Sequence, residues 1–393
     1  MRLAILISLF CALFVAKEVE AFKCSSRTAA AAGSYFGRRR FQSQQVDQVE
    51  LFERFHKGAW IGKQTLHDYT DDKKSEDEEI KRSSTFTGVC LEGDKEINHY
   101  IMRPKGDGTL DAAKVATYDD VACLLRGNKF LHSASIGGPM INLKNRMLSC
   151  QVCIVDDDGK SRVKVIVIYD TFDEMTVPGT SFRVPETMAV SEVIIIRESR
   201  VSDSAIFRNE EKGLDLQHLP NLPKDEDLFG KSDAASIKDF EVDYKGGTRF
   251  EINYDYDDCS AGDAGDGAPA EESFSSEEWT DTGTYAIMGD DDIEEDFGLN
   301  LDQIDSPDGI TFDVKMVHKG GLLIEAPRTL VANERSSITV SWKRDADKKM
   351  TTAAVSFVAM QNAVPGLKRV KGGAEAQYVQ PKVLSITVEE LQI

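Results

Sequence analysis

Residues Phe52 to Gly62 constrain this chain more than any other stretch. Val46, Val49, Phe52 and His56 recur at helical spacing, and Gly58 stands where a helix C-cap falls. Directly afterwards Gly58-Ala59-Trp60 opens a run that alternates as a strand through Leu66. A short helical turn passing through glycine into a strand headed by tryptophan suits the closed end of an up-and-down β-barrel. There a tryptophan on the first strand can plug the floor, often beneath a basic side chain from the last strand. Arg197, at the end of Val193-Ile194-Ile195-Ile196, is the expected partner. Gly58, Trp60 and Arg197 are therefore expected to form a structural plug, not a catalytic group. The alternative is a tryptophan packed in some other β core.

Strand signals dominate the mature chain from Trp60 onward. Trp60–Leu66, Ser84–Leu91, Glu96–Met102, Met147–Val155, Arg162–Tyr169 and Val190–Arg197 are rich in Val, Ile, Thr and aromatic residues, with turn chemistry between them. Asp156-Asp157-Asp158-Gly159 marks a hairpin. A stretch with Pro220 and Pro223 separates these from a second set: Thr248–Tyr256, Thr311–Val317, Gly321–Ile324, Ser337–Lys343, Thr352–Met360 and Lys382–Val388. Many strands and almost no helix favour closed sheets, which remove exposed edges. The expected architecture is all-β: two antiparallel β-barrels, residues 46–203 and 246–393, joined by a linker over 204–245.

Charge sharpens this division. The net charge is −20, yet nineteen Asp and Glu and no Lys or Arg lie between Asp255 and Asp308, which leaves the rest of the chain near −1. Nucleic-acid binding needs a basic footprint, and the folded parts carry none. The segment 255–308 is expected to be a disordered acidic insertion in the second barrel, too poor in apolar residues to offset ordering entropy. Its run Asp290 to Asp296 lacks the spaced ligands of a calcium loop, and is read as a solvated loop or a lure for a basic partner.

The chain opens with an address. Arg2 precedes an apolar run from Leu3 to Ala16, and Val19-Glu20-Ala21 places small residues at −3 and −1 to a cut before Phe22. Residues 1–21 thus form a signal peptide, and no membrane span is expected after its removal. Residues 22–45 hold Lys23, Arg27, Arg38, Arg39 and Arg40 among many Ser and Ala, with no acid, a transit-like composition. The pair resembles the bipartite presequence of plastids of red-algal origin, which implies the plastid stroma. The alternative is secretion with a basic pro-segment. Five scattered cysteines beyond residue 24 and the lack of any Asn-x-Ser/Thr sequon favour a reducing compartment.

No catalytic constellation emerges. Cys150-Gln151-Val152-Cys153 falls inside a strand, where positions three apart point to opposite faces, so it reads as two core cysteines and not as a redox or zinc motif. The six histidines form no metal-hydrolase pattern, and no nucleophile elbow or phosphate loop is present. No enzyme activity, cofactor or metal is expected.

Phe52–Gly62, Val163–Tyr169 and Val190–Ser199, together with Gly320–Pro327 and Ser341-Trp342-Lys343, resemble a plastid and cyanobacterial family of two-barrel, lipocalin-like (calycin) proteins that includes a chloroplast ATP synthase biogenesis factor. The resemblance implies two lipocalin-like barrels and a non-enzymatic accessory protein that binds a subunit of a photosynthetic or ATP synthase complex during assembly. The family is distantly similar to bilin lyases. The alternative is therefore a barrel that holds a hydrophobic small molecule (tetrapyrrole, carotenoid or lipid).

Overall fold

The computed structural model describes residues 40–42, 48–69, 79–92, 96–104, 110–118, 128–142, 146–176, 183–201, 236–255, 271–285, 314–318, 320–344, 348–359 and 381–393. The segments expected to be a signal peptide and a transit-like segment, 1–21 and 22–45, therefore lie almost wholly outside the described residues. Three residues from their end, β1 (Arg40–Gln42), pair with a strand of the second half.

A one-turn helix α1 (Gln48–Leu51) runs into a wider π turn over Phe52–His56. The chain then forms nine antiparallel strands: β2 (Gly58–Asp68), β3 (Glu79–Glu92), β4 (Glu96–Pro104), β5 (Leu110–Tyr118), β6 (Asn128–Leu131), β7 (Ala134–Asn142), β8 (Met147–Val155), β9 (Ser161–Thr176) and β10 (Arg183–Val201). Each pairs with its sequence neighbour except β5 with β6, and β2 also pairs with β10. The sheet order is thus β5-β4-β3-β2-β10-β9-β8-β7-β6, with consecutive strands at its two ends. The ten peptide links from Tyr118 to Asn128 reach at most about 35 Å, whereas eight spacings of a flat sheet take about 38 Å. The sheet has to curl, as in an up-and-down barrel.

The second half repeats this logic. Its strands are β11 (Val242–Tyr244), β12 (Gly247–Asp255), β13 (Glu271–Trp279), β14 (Gly283–Tyr285), β15 (Val314–His318), β16 (Leu322–Ala326), β17 (Thr329–Val331), β18 (Arg335–Arg344), β19 (Lys349–Val358) and β20 (Lys382–Gln392). Its main sheet runs β1-β13-β12-β20-β19-β18-β16-β15, so the leading strand β12 again lies between its successor and the last strand. The fold is all-β, with two antiparallel sheets in up-and-down barrel order.

The two sheets share one core. Cys150, Val152, Val163, Val165, Val193 and Ile195 of the first sheet pack in one cluster with residues of the second that include Ile338, Val340, Val355, Phe357, Ile386 and Val388. Strand β17 crosses over and pairs with β10, aligning Leu330 with Met188. Polar contacts reinforce the joint. His132 stacks on Phe250 with ring centroids 4.4 Å apart, Ser133 Oγ donates to Glu390 at 2.9 Å, and Asp157 accepts from Arg344 at 3.1 Å and from Lys349.

Besides β1, which falls in the expected transit-like segment, two boundaries differ from the sequence expectation. Within the acidic segment 255–308, residues 271–279 are strand β13, held by β12 along nine residue pairs. Phe274 packs against the shared core and Glu272 pairs with Lys129 of the first half at 2.9 Å. A partner strand supplies what the segment's few aliphatic residues cannot, so this part is ordered, and most of the remaining segment lies outside the described residues. Within the expected linker 204–245, Ile237–Phe240 form a 3-10 turn and β11 pairs with β14. Phe240 is fully buried there with Leu323, Met350 and Leu391.

Candidate functional site

The side of the first sheet away from the shared core begins at Trp60. Gly58, at φ +123°, turns the chain from the π turn into β2, and a Cβ there would meet the Arg200 guanidinium at 3.0 Å. Trp60 is completely buried among Phe55, Cys153 and Val155. Its indole Nε1 donates to the His56 carbonyl at 3.2 Å. The Arg162 guanidinium lies 4.2 Å from the ring centroid, and that of Arg200 lies 5.7 Å away. Gly62 lets β10 approach: a Cβ there would sit 1.8 Å from the Arg197 carbonyl oxygen.

Arg162 Nε donates to the Glu198 carboxylate at 2.6 Å, and Lys164 Nζ lies 3.8 Å from the same oxygen. The Arg162 and Glu198 side chains are 4% and 0% exposed. His56, also buried, has its pKa lowered to about 3 by burial, then by Arg162 and Lys164, so its imidazole is neutral near pH 7. At the outer end of the floor, Arg200 donates to the Lys57 carbonyl at 2.6 Å.

Register arranges the rest of this face in rows. Val155, Arg162, Glu198 and Gly62 lie side by side on β8, β9, β10 and β2; the next row is Cys153, Lys164, Ile196 and Gln64. Then come Gln151, Ile166, Ile194 and Leu66, followed by Ser149, Ile168, Glu192 and Asp68. Ile166, Ile168 and Ile194, with Leu66, Met147 and Ile196, form an apolar cluster separate from the core shared by the sheets. The wall thus passes from a cationic floor through an aliphatic belt to an acidic rim of Asp68, Asp170 and Glu192.

At this rim Glu192 is pushed above the usual carboxylate range by burial, then by Asp68 and Asp170. A raised folded-state pKa means that protonation favours the folded form. The contribution is present below the unfolded pKa and is lost as pH rises through the folded one. Glu192→Gln is therefore expected to raise the melting temperature at pH 8 and to leave it unchanged at pH 4. Thermal melts at the two values test this; an equal shift at both would refute it.

Of the residues expected to form the plug, the structure brings Gly58 and Trp60 together but not Arg197. Arg197 pairs with Lys63 in register, on the face that carries Val193 and Ile195, and burial lowers its pKa to about 9. Arg200 pairs directly with Trp60 and takes the role, with Arg162. The cause is strand parity: Arg197 and Arg200 are three residues apart, so they occupy opposite faces. The same parity separates Cys150, in the shared core, from Cys153, beside Trp60. Both thiols are free, and burial pushes Cys150 up to about 12. The floor residues Arg162, Lys164, Glu198 and Gly62 escaped sequence reasoning, although alternation with Val163 and Val165 places both cations on one face.

The second sheet has a different wall. On the face away from the shared core, Ser341, Thr352 and Glu389 lie side by side on β18, β19 and β20, and Glu325, Thr339, Ala354 and Thr387 form the next row. Burial raises the pKa of Glu325 and of Glu389. Among the described residues, no group of three His, Cys, Asp or Glu side chains is placed to hold a metal ion, and no helix is long and apolar enough to cross a membrane.

No family model and no curated protein matches the chain. Among solved structures it is similar to the siderocalin Ex-FABP, described as functioning through dual ligand specificities, at 13% identity over 37% of this chain and 69% of that one, with a TM-score of 0.16. It is also similar to a Bacteroides fragilis protein provisionally described as an outer membrane protein, at 7% identity over 88% of this chain and 99% of that one, with a TM-score of 0.17. The barrel assignment rests on strand order and register, independently of these likenesses.

Proposed function

We propose that this chain is a non-catalytic binding protein that holds a small hydrophobic molecule against the inner wall of its first barrel. One observation carries the reading. The aliphatic belt around Ile166 and Ile194 is a cluster of its own, apart from the core that joins the sheets. An apolar inner wall above a plugged floor is the arrangement in which small barrels take up cargo. The corresponding face of the second barrel carries Glu325 and Glu389, and its apolar residues Leu323, Met350 and Leu391 already pack under Phe240.

Titration with the neutral, polarity-sensitive dye Nile red tests this. A saturable, blue-shifted emission is expected at one site per chain. Leu66→Trp, which enlarges a half-buried belt residue, should weaken it at least tenfold while the far-ultraviolet dichroism is unchanged. Binding that ignores Leu66→Trp, or no binding, would refute the reading.

A second proposal rests on the resemblance of Phe52–Gly62, Val190–Ser199 and Gly320–Pro327 to the two-barrel plastid family. In it the chain acts in the plastid stroma as an accessory protein for a photosynthetic or ATP synthase complex, with its acidic segment meeting a basic partner surface. Recovery of a complex subunit from stroma, with Nile red left unbound, would favour it over cargo binding.

A further inference from the structure

We propose that the molecule held by the first barrel carries an anionic group, a carboxylate or a phosphate monoester, which seats on Arg162 and Lys164 above Trp60. This rests on the binding function proposed above and specifies its ligand.

Positive charge is in excess at the floor. Arg162, Lys164 and Arg200 approach it from β9 and β10, and among the described residues Glu198 is the single acid beside them. His56 adds no charge, because its imidazole is neutral. The register neighbours bring no second acid: Val155 and Cys153 flank on β8, Gly62 and Gln64 on β2, and the β3 residues paired with Trp60, Gly62 and Gln64 are Thr87, Thr85 and Ser83. One carboxylate faces the buried Arg162 and the largely buried Lys164, which leaves a positive charge without an acid beside it where its isolation is costly.

Hydrogen bonding points the same way. Arg162 spends its Nε on Glu198, but its Nη2, also buried, has no acceptor among the described residues. A guanidinium edge presents donors in a fork that suits carboxylate or phosphate oxygens, and a buried donor left unmet is destabilising. Register then aligns cation and belt. Lys164 adjoins Ile196, and the next row holds Ile166, Ile194 and Leu66, so a head group on the cations continues into an apolar tail along the belt. A pure hydrocarbon would cover the belt and leave the floor unmatched.

Three ligands that share a twelve-carbon chain separate head group from tail: dodecanoate, dodecyl phosphate and dodecanol, each used below its aggregation concentration to displace Nile red from the full-length protein. At least one of the two anions is expected to compete ten times more strongly than dodecanol, and which one does so distinguishes carboxylate from phosphate. Lys164→Met, which keeps the length of the side chain and removes its charge, should abolish most of that preference, read as the ratio of anion to dodecanol competition on the same variant. Dodecanol competing as well as both anions would overturn the head-group assignment while leaving hydrophobic binding intact, and so would a preference that survives Lys164→Met. Absence of Nile red binding would instead defeat the binding function itself. The comparison on the wild-type chain decides the question even if the variant fails to fold.

Discussion

Glu198→Ala is expected to lower the free energy of unfolding by about 3–5 kcal/mol, the usual consequence of removing one member of a buried ion pair. The change leaves Arg162 buried and Lys164 largely buried without their shared carboxylate, which lies 2.6 Å from the one and 3.8 Å from the other. The loss comes from stranded charge and not from the pair's own attraction. Replacing Arg162, Lys164 and Glu198 together by apolar residues of similar size should therefore recover most of it. As a control, Glu53→Ala breaks only the exposed contact with Lys57 at 3.8 Å and should change stability by less than about 1 kcal/mol. Urea denaturation of the three variants is the test. A loss below about 1 kcal/mol for Glu198→Ala would mean that water reaches the floor and that the cluster is not buried in solution.

Trp60→Ala is expected to cost a further large amount on its own, about 3–5 kcal/mol, as for other buried large-to-alanine changes. The indole is wholly buried, bridges the π turn to the barrel through its bond to the His56 carbonyl, and is the surface on which Arg162 lies. Removal opens a cavity beneath a buried guanidinium, so collapse of the surroundings cannot fill it cheaply. Trp60→Phe keeps most of the apolar volume and forfeits the hydrogen bond, at about 1 kcal/mol plus the lost ring area. The expected order of midpoints is wild type, Trp60→Phe, Trp60→Ala. If the alanine variant unfolded near the wild type, Trp60 would not be the plug.

Much of the fold was legible because strand formation is local. Met147–Val155 is a strand over the residues its composition indicates, and the other runs of Val, Ile and Thr fall within observed strands with shifts of a few residues at their ends. The strands that escaped had their signals masked. In β7 the sequence Gly137-Gly138-Pro139 looks like a turn, yet it sits at a register shift between Gly137 and Met140, where an irregular strand tolerates proline. In β13 the residues Glu271–Trp279 are mostly acids and serines; this strand owes its order to the edge of β12, information carried by residues distant in sequence.

The candidate site was legible only at Gly58 and Trp60. Both belong to one local event, a helical turn passing into a strand. The cations above the tryptophan come from strands more than a hundred residues away, and choosing Arg200 over Arg197 needs the register of β10 against β2. A one-residue slip in that register exchanges the two faces of every residue in the strand.

By itself the sequence determined that the chain is built of antiparallel strands in two halves, that a tryptophan heads the first strand, and that the two cysteines of Cys150-Gln151-Val152-Cys153 point apart, because alternation and turn chemistry act over a few residues. Only the tertiary structure decided that the halves share one core, that an acidic stretch becomes a strand, and that Arg162, Lys164 and Glu198 meet beneath an aliphatic belt. Those outcomes depend on which sheet faces which and on long-range register, and both are settled by burial of whole faces, not by any local run of residues.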